Sequence, residues 1–222
     1  MSIESEIFKT YSADFKKTEK YGFHLLKGEY IFEKSFMKDS FKAIVKISET
    51  GEVSGTVYDL ENDDEYLPLR VEDNEGSFIA EVRENYKVIL TNIRDNCFVK
   101  HNFISSQANR IADLILKKYN DNPLFMWKDD PTSGVFKNPD SKKWYGIIMD
   151  IPYSKLGEKR KGNVEVINLK IDKDKIPELV KVNGIYPAWH MNKKYWISVT
   201  LDESLGDNEI MDLVCESHGY TI

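Results

Sequence analysis

Strict alternation of apolar side chains is the feature that most narrows what this chain can fold into. In "FKAIVKI", Phe41, Ala43, Val45 and Ile47 recur at every second position, and in "YWISVTL", Tyr195, Ile197, Val199 and Leu201 do the same. A period of two belongs to a strand with one buried face, so each half of the chain must contain a sheet with a side to cover. Helical periodicity supplies the cover. Ile3, Ile7, Phe8, Tyr11 and Phe15 share a helical face behind Ser2, and Phe78, Val82, Tyr86, Ile89 and Ile93 form a second stripe of about five turns. Ala108, Ile111, Ala112, Ile115 and Tyr119 form a third behind Ser105 or Ser106, and Ile210, Leu213 and Val214 mark a last helix ending at Gly219.

These patterns predict two packed α+β domains. Residues 1–104 read as an acidic domain of helix, three strands (30–34 and the hairpin 41–58) and helix. Residues 105–222 read as helix, strands near 133–137, 144–151 and 164–171, a short helix near 173–181, the strand at 195–201 and the final helix. No linker rich in Pro, Gly or Ser divides them. The junction "NCFVKHNFI" instead carries Phe98, Val99, Phe103 and Ile104, side chains that need burial.

Charge separates the halves. Residues 1–104 hold 14 Lys/Arg against 20 Asp/Glu, a balance of −6, whereas residues 105–222 hold 17 of each. Neither half has the basic excess of a dedicated nucleic-acid binder. No run approaches the ~20 apolar residues of a membrane helix. The start "MSIESEIFKT" lacks a secretory pattern, and two cysteines suit a reducing compartment, so a cytoplasmic protein without membrane contact is expected.

Chemical motifs are sparse. Cys97 with His101 and Cys215 with His218 could compose a zinc set, but the spacing is loose and the cysteines read equally as small core residues. The acidic run from Asp59 to Glu65 lacks the turn glycine and distal glutamate of a calcium loop. "GEKRKG" lacks the Lys-Ser/Thr ending of a phosphate loop and precedes a strand. No nucleophile elbow is present, so the sequence calls for no catalytic residue, metal or cofactor.

"PAWHMNKKYW", residues 187–196, is the densest segment. Alternation turns Trp196 away from Ile197 and Val199, so it needs cover from a partner or ligand. His190 and Asn192 are expected to bond local backbone groups and fix the turn, with Lys193 and Lys194 exposed. Together with "GVFKNPDSKKWYGIIMDIP", "VEVINLK" and "EIMDLVCESHGYTI", this block resembles the MmcQ/YjbR family in order and spacing, over about residues 105–222. The resemblance implies a CyaY-like (double-wing) fold for the C-terminal domain, a twisted antiparallel sheet flanked by helices, and DNA binding. Trp189 stands where the family commonly has tyrosine, and Tyr195 where it commonly has histidine.

The family-motif residues are then Trp189, His190, Met191 and Asn192. The candidates for nucleic-acid contact are Lys142, Lys143, Lys159, Arg160, Lys161, Lys193, Lys194 and Trp196. Lys142 and Lys143 stand at one end of the 144–151 strand and Lys159, Arg160 and Lys161 at the other, roughly 26 Å away. Three readings remain open: weak, non-specific DNA contact through phosphates; a protein- or small-ligand-binding module whose acidic N-terminal half serves a protein partner; or an enzyme, a reading that rests only on the density of residues around His190.

Overall fold

The computed structural model describes residues 2–71 and 76–222. The chain divides into two compact units, Met1–His101 and Asn102–Ile222. Both mix helices with antiparallel sheet, and the fold class is α+β.

The N-terminal unit departs from its expected helix–three strands–helix order at once. Helix α1 (Ile3–Ile7) begins at Ser2, whose hydroxyl accepts from the Ser5 N–H, but it ends after five residues. Tyr11–Ala13 form strand β1, and α2 (Phe15–Tyr21) starts afresh at Asp14, whose carboxylate accepts from the Lys17 N–H. The break has a tertiary cause. Tyr11, Ser12 and Ala13 pair with Lys100, Val99 and Phe98, and that ladder outweighs helix continuation. The apolar residues still reach one core, with Phe8 buried and Ile3, Ile7, Tyr11 and Phe15 packed against it.

Strands β2 (His24–Leu26), β3 (Glu29–Phe36), β4 (Phe41–Ser48), β5 (Val53–Asp59) and β6 (Asp64–Glu65) form an antiparallel sheet in that order. β4 buries Phe41, Ala43, Val45 and Ile47, as its alternation requires. The acidic run makes the β5–β6 turn, where Asp59 accepts from the N–H groups of Glu61 and Asn62. Helix α3 (Ser77–Cys97) lays Val82, Tyr86, Leu90, Ile93 and Cys97 into the core, while Phe78 stays exposed. Strand β7 (Phe98–Lys100) then closes on β1.

One buried polar knot ties this unit together. Glu4 is 2% exposed, accepts from the Tyr86 hydroxyl at 2.6 Å, and meets the Arg70 guanidinium at 2.9 Å. Arg70 also donates to the Gly55 carbonyl at 2.5 Å. Position 55 admits only glycine, because a Cβ there would lie 2.0 Å from the Tyr86 hydroxyl.

The C-terminal unit begins with α4 (Ser106–Tyr119), capped by the Ser105 hydroxyl. The Glu165 carboxylate also accepts from the Ile104 and Ser105 N–H groups, where a negative charge complements the helix start. There follow β8 (Leu124–Phe125), β9 (Gly134–Lys137), β10 (Trp144–Pro152), β11 (Asn163–Lys170), α5 (Ile176–Leu179), β12 (Ile185–Pro187), β13 (Trp196–Thr200) and α6 (Asp207–Gly219). Six strands pair antiparallel in the order β12-β13-β11-β10-β9-β8. Of the junction residues, Phe98 joins the first unit's core and Phe103 the second's, whereas Val99 and Ile104 keep substantial exposure.

Both longer helices of this unit lie on one face of the sheet. Ile111, Ile115, Ile210 and Val214 pack with Phe136, Tyr145, Ile148, Ile167, Leu169, Ile197 and Val199. The opposite face has its own apolar cluster of Val135, Ile147, Met149, Ile151, Tyr153, Val164 and Val166, which includes no α-helical residue. A bulge in β10 at Trp144/Gly146 sets which side chains go where. It switches the alternation, so Tyr145 and Ile148 face the helices while Trp144, Ile147 and Met149 share the other side.

Candidate functional site

The sheet face without α-helices gathers the aromatic residues that the sequence leaves scattered. Trp144 and Trp189 pack against its apolar cluster. Trp127 meets Trp144 edge to face, with ring centroids 6.0 Å apart. Trp196 is half-buried and alternates to this side, away from Ile197 and Val199. The chain has four tryptophans, and all four belong to this face. A cleft of about 530 Å³ opens here, floored by Ile147 and Met149, with Met126 and Trp127 on one wall and His190 and Met191 on another.

The "PAWHM" segment is clamped to the sheet by two buried side chains. Asn168 on β11 donates to the Trp189 carbonyl at 2.7 Å, and Ser198 on β13 accepts from the Trp189 N–H at 3.0 Å. The Ser198 hydroxyl donates in turn to Asn168 Oδ1 at 2.5 Å, and neither side chain has any exposure. Two of the sequence blocks that resemble the family, "VEVINLK" and the stretch from "PAWHM" to "YWISV", therefore meet at one point, with both ends of the second engaged. From there Asn192 makes the turn, its carboxamide accepting from the Lys194 N–H and its carbonyl from the Tyr195 and Trp196 N–H groups.

His190 corrects an expectation. Among the described residues its side chain makes no hydrogen bond. Its ring instead lies against Trp189, centroids 4.5 Å apart, and its backbone is left-handed at φ 59. This conformation costs a non-glycine residue up to a few kcal/mol. It turns the chain between clamped Trp189 and Met191, and it leaves an exposed imidazole on the cleft wall.

The basic candidates form two groups and not one patch. β13 runs parallel to β10 across the intervening β11, so Lys193 and Lys194 share a sheet end with Lys142 and Lys143. Lys159, Arg160 and Lys161 follow the far end of β10, as does Lys155, whose ammonium lies 4.8 Å from the Trp189 ring centroid. Several are engaged locally. Arg160 covers the Tyr153 ring at 3.9 Å and approaches Asp202 at 3.7 Å, Lys142 donates to the Pro139 carbonyl, and Lys194 lies over Tyr195. Lys143, Lys159, Lys161 and Lys193 are exposed.

Sequence reasoning missed Met126, Trp127, Asp129 and Met149. A signal existed in "PLFMW", where Leu124, Phe125, Met126 and Trp127 follow one another without strand or helix period. All four remain at least 40% exposed, unusual for such a run. Met149 was hidden by the β10 bulge, since uninterrupted alternation from Tyr145 would assign it to the helix side.

The cysteine–histidine pairs stay apart in their roles. Cys97 is buried in the N-terminal core, and His101 Nε2 is 2.7 Å from the Ser12 hydroxyl. His218 stacks on Tyr119 at 3.9 Å, and burial holds its pKa below the usual histidine value. Tyr145, beside it, donates to buried Asp121 at 2.8 Å. Among the described residues no group of three or more His, Cys, Asp or Glu is placed to hold a metal ion, and no helix is long and apolar enough to cross a membrane.

Asn102–Ile222 is thus a one-sided α+β module, with helices over one sheet face and an aromatic cleft on the other. The YjbR family model matches residues 116–219, inside this unit. The chain is 32% identical to the uncharacterized protein YyaQ of Bacillus subtilis (strain 168) over 107 residues, which are 48% of this chain and 91% of that protein. A crystal structure of a Pseudomonas syringae protein is 41% identical, covering 51% of this chain and 97% of that one, with a TM-score of 0.50. A solution NMR structure from the same species is 40% identical, covering 52% and 92%, with a TM-score of 0.48. The chain belongs to the YjbR family.

Proposed function

We propose that the C-terminal unit binds single-stranded DNA, weakly and with broad sequence tolerance, along the sheet face opposite α4 and α6. The observation that supports this reading is the gathering of all four tryptophans on that face, with lysines at both of its ends. Stacking on aromatic rings accepts any base, and lysines meet the phosphates between them. A duplex keeps its bases inside the helix, so an aromatic face favours a single strand. The nine residues of β10 separate the two lysine groups by roughly 30 Å at ~3.3 Å per residue, a run of several nucleotides. Charge balance keeps the affinity low. The C-terminal half has no net positive charge, and the chain as a whole carries −6.

A salt series tests this reading. Binding of a fluorescent single-stranded oligonucleotide should weaken steeply with salt, by about 0.7 logarithmic units per logarithmic unit of salt for each phosphate engaged. Lys193→Ala with Lys194→Ala, and separately Lys159→Ala with Lys161→Ala, should each lower the slope by up to about 1.4 without moving the melting temperature. Slopes unchanged in both pairs would remove the phosphate role from these residues.

A further inference from the structure

The cleft beside His190 has a chemistry of its own. Its floor, Ile147 and Met149, is buried and apolar, and Met126, Met191 and Trp127 supply polarizable walls. Thioethers and an indole suit a flat, polarizable ring better than a branched aliphatic group. Trp127 is 40% exposed, and its edge-to-face contact with Trp144 holds it in place.

Polar groups narrow the ligand further. Asp130 is occupied within its own turn, accepting from the Thr132 hydroxyl at 3.1 Å and the Ser133 hydroxyl at 2.5 Å. Lys128, Asp129 and His190 also line the cleft, and none of the three side chains has a hydrogen-bond partner among the described residues. The Asp129 carboxylate only accepts, so it requires an N–H or O–H donor from the ligand, while the Lys128 ammonium beside it donates to an acceptor such as a ring carbonyl or a neighbouring phosphate. The imidazole can donate or accept at a ring nitrogen. The volume, about 530 Å³, lies within the range of small-molecule sites.

We infer that this cleft binds a planar nitrogen heterocycle bearing an exocyclic amino group, that is, an aminopurine or aminopyrimidine base. Trp127 stacks on the ring, Asp129 accepts from the amino group, and His190 meets a ring nitrogen. The inference rests on the proposed nucleic-acid role when the base arrives on a strand, and adds one base-class preference to otherwise tolerant binding. A free nucleoside presents the same chemistry without phosphates.

Binding by the full chain, followed by tryptophan fluorescence, separates these sources with four probes: oligo-dA, oligo-dT, an abasic oligonucleotide of equal length, and adenosine. The wild type should bind oligo-dA at least about tenfold more tightly than the abasic strand, since stacking on one aromatic side chain contributes that much. Trp127→Ala should erase this difference, and Asp129→Asn should erase the preference for oligo-dA over oligo-dT. Both side chains are exposed, so unchanged melting temperatures will show that the variants fold. Equal binding of oligo-dA, oligo-dT and the abasic strand would overturn the cleft assignment while leaving strand binding intact. Adenosine binding that is lost in Trp127→Ala, with no strand bound, would support the cleft and sink the nucleic-acid role. No binding of any probe would refute both.

Discussion

Replacing Asn168 with alanine will destabilise the C-terminal unit by about 2–4 kcal/mol and release the Trp189 segment from the sheet. The change removes a donor from the Trp189 carbonyl and an acceptor from the Ser198 hydroxyl, both within a site that admits no water to the two side chains. Each buried polar group left without a partner costs roughly 1–3 kcal/mol. The part-buried Trp189 carbonyl recovers some of this from solvent, which sets the upper end of the range. Ser198→Ala should cost about as much, because the Trp189 N–H loses its acceptor and the buried Asn168 Oδ1 loses its donor, even though Asn168 still holds the Trp189 carbonyl. Denaturant melts followed by tryptophan emission give both numbers. A loss below about 1 kcal/mol for Asn168→Ala would show that the clamp is not what fixes the motif.

In the N-terminal unit, Arg70→Ala should destabilise by about 3–5 kcal/mol, because it leaves the Glu4 carboxylate buried without its cationic partner. The pH dependence carries the signature. Burial by itself would raise the Glu4 pKa, but the Arg70 and Tyr86 hydrogen bonds outweigh it and hold the value below the ordinary 4.5. A carboxylate with a depressed folded-state pKa stabilises the fold above its unfolded value and loses that contribution as pH falls through the folded one. Wild-type stability should therefore drop as the medium is acidified below 4.5. In Arg70→Ala burial prevails, so the difference between the two proteins should shrink over that same acid range. A gap independent of pH would mean that Arg70 acts by packing alone.

Much of the architecture was legible because it rests on periodicity. The alternation at Phe41–Ile47 and at Ile197–Val199 identifies sheet faces, and the Ala108–Ile115 stripe identifies the helix that covers one of them. The expected helix through Phe15 failed because its apolar spacing suits a helix locally while pairing of Tyr11–Ala13 with Phe98–Lys100 is a contact about 90 residues distant. The short strands β2, β6, β8 and β12 have two or three residues each, too few for any period to appear.

The candidate site was legible by half. Trp189, His190, Met191 and Asn192 stand out by their density, and the outward direction of Trp196 follows from parity. The floor of the cleft could not be read, because the β10 bulge inverts that parity between Trp144 and Ile147. The unpaired state of His190 is likewise a matter of three dimensions. A histidine beside an asparagine in a turn suggests two polar anchors, yet Asn192 suffices and the left-handed backbone directs the imidazole elsewhere.

Single-stranded DNA on the aromatic face will be reported by the indole N–H signals of the four tryptophans in an ¹H–¹⁵N spectrum of the full chain. On titration with a single-stranded oligonucleotide at low salt, the Trp127, Trp144, Trp189 and Trp196 indoles should shift. The backbone amides of Lys143, Lys159, Lys161 and Lys193 should shift with them, while those of α4 and α6 remain still. Shifts confined to α4, α6 or the N-terminal unit, or no shift at all, would contradict binding on this face.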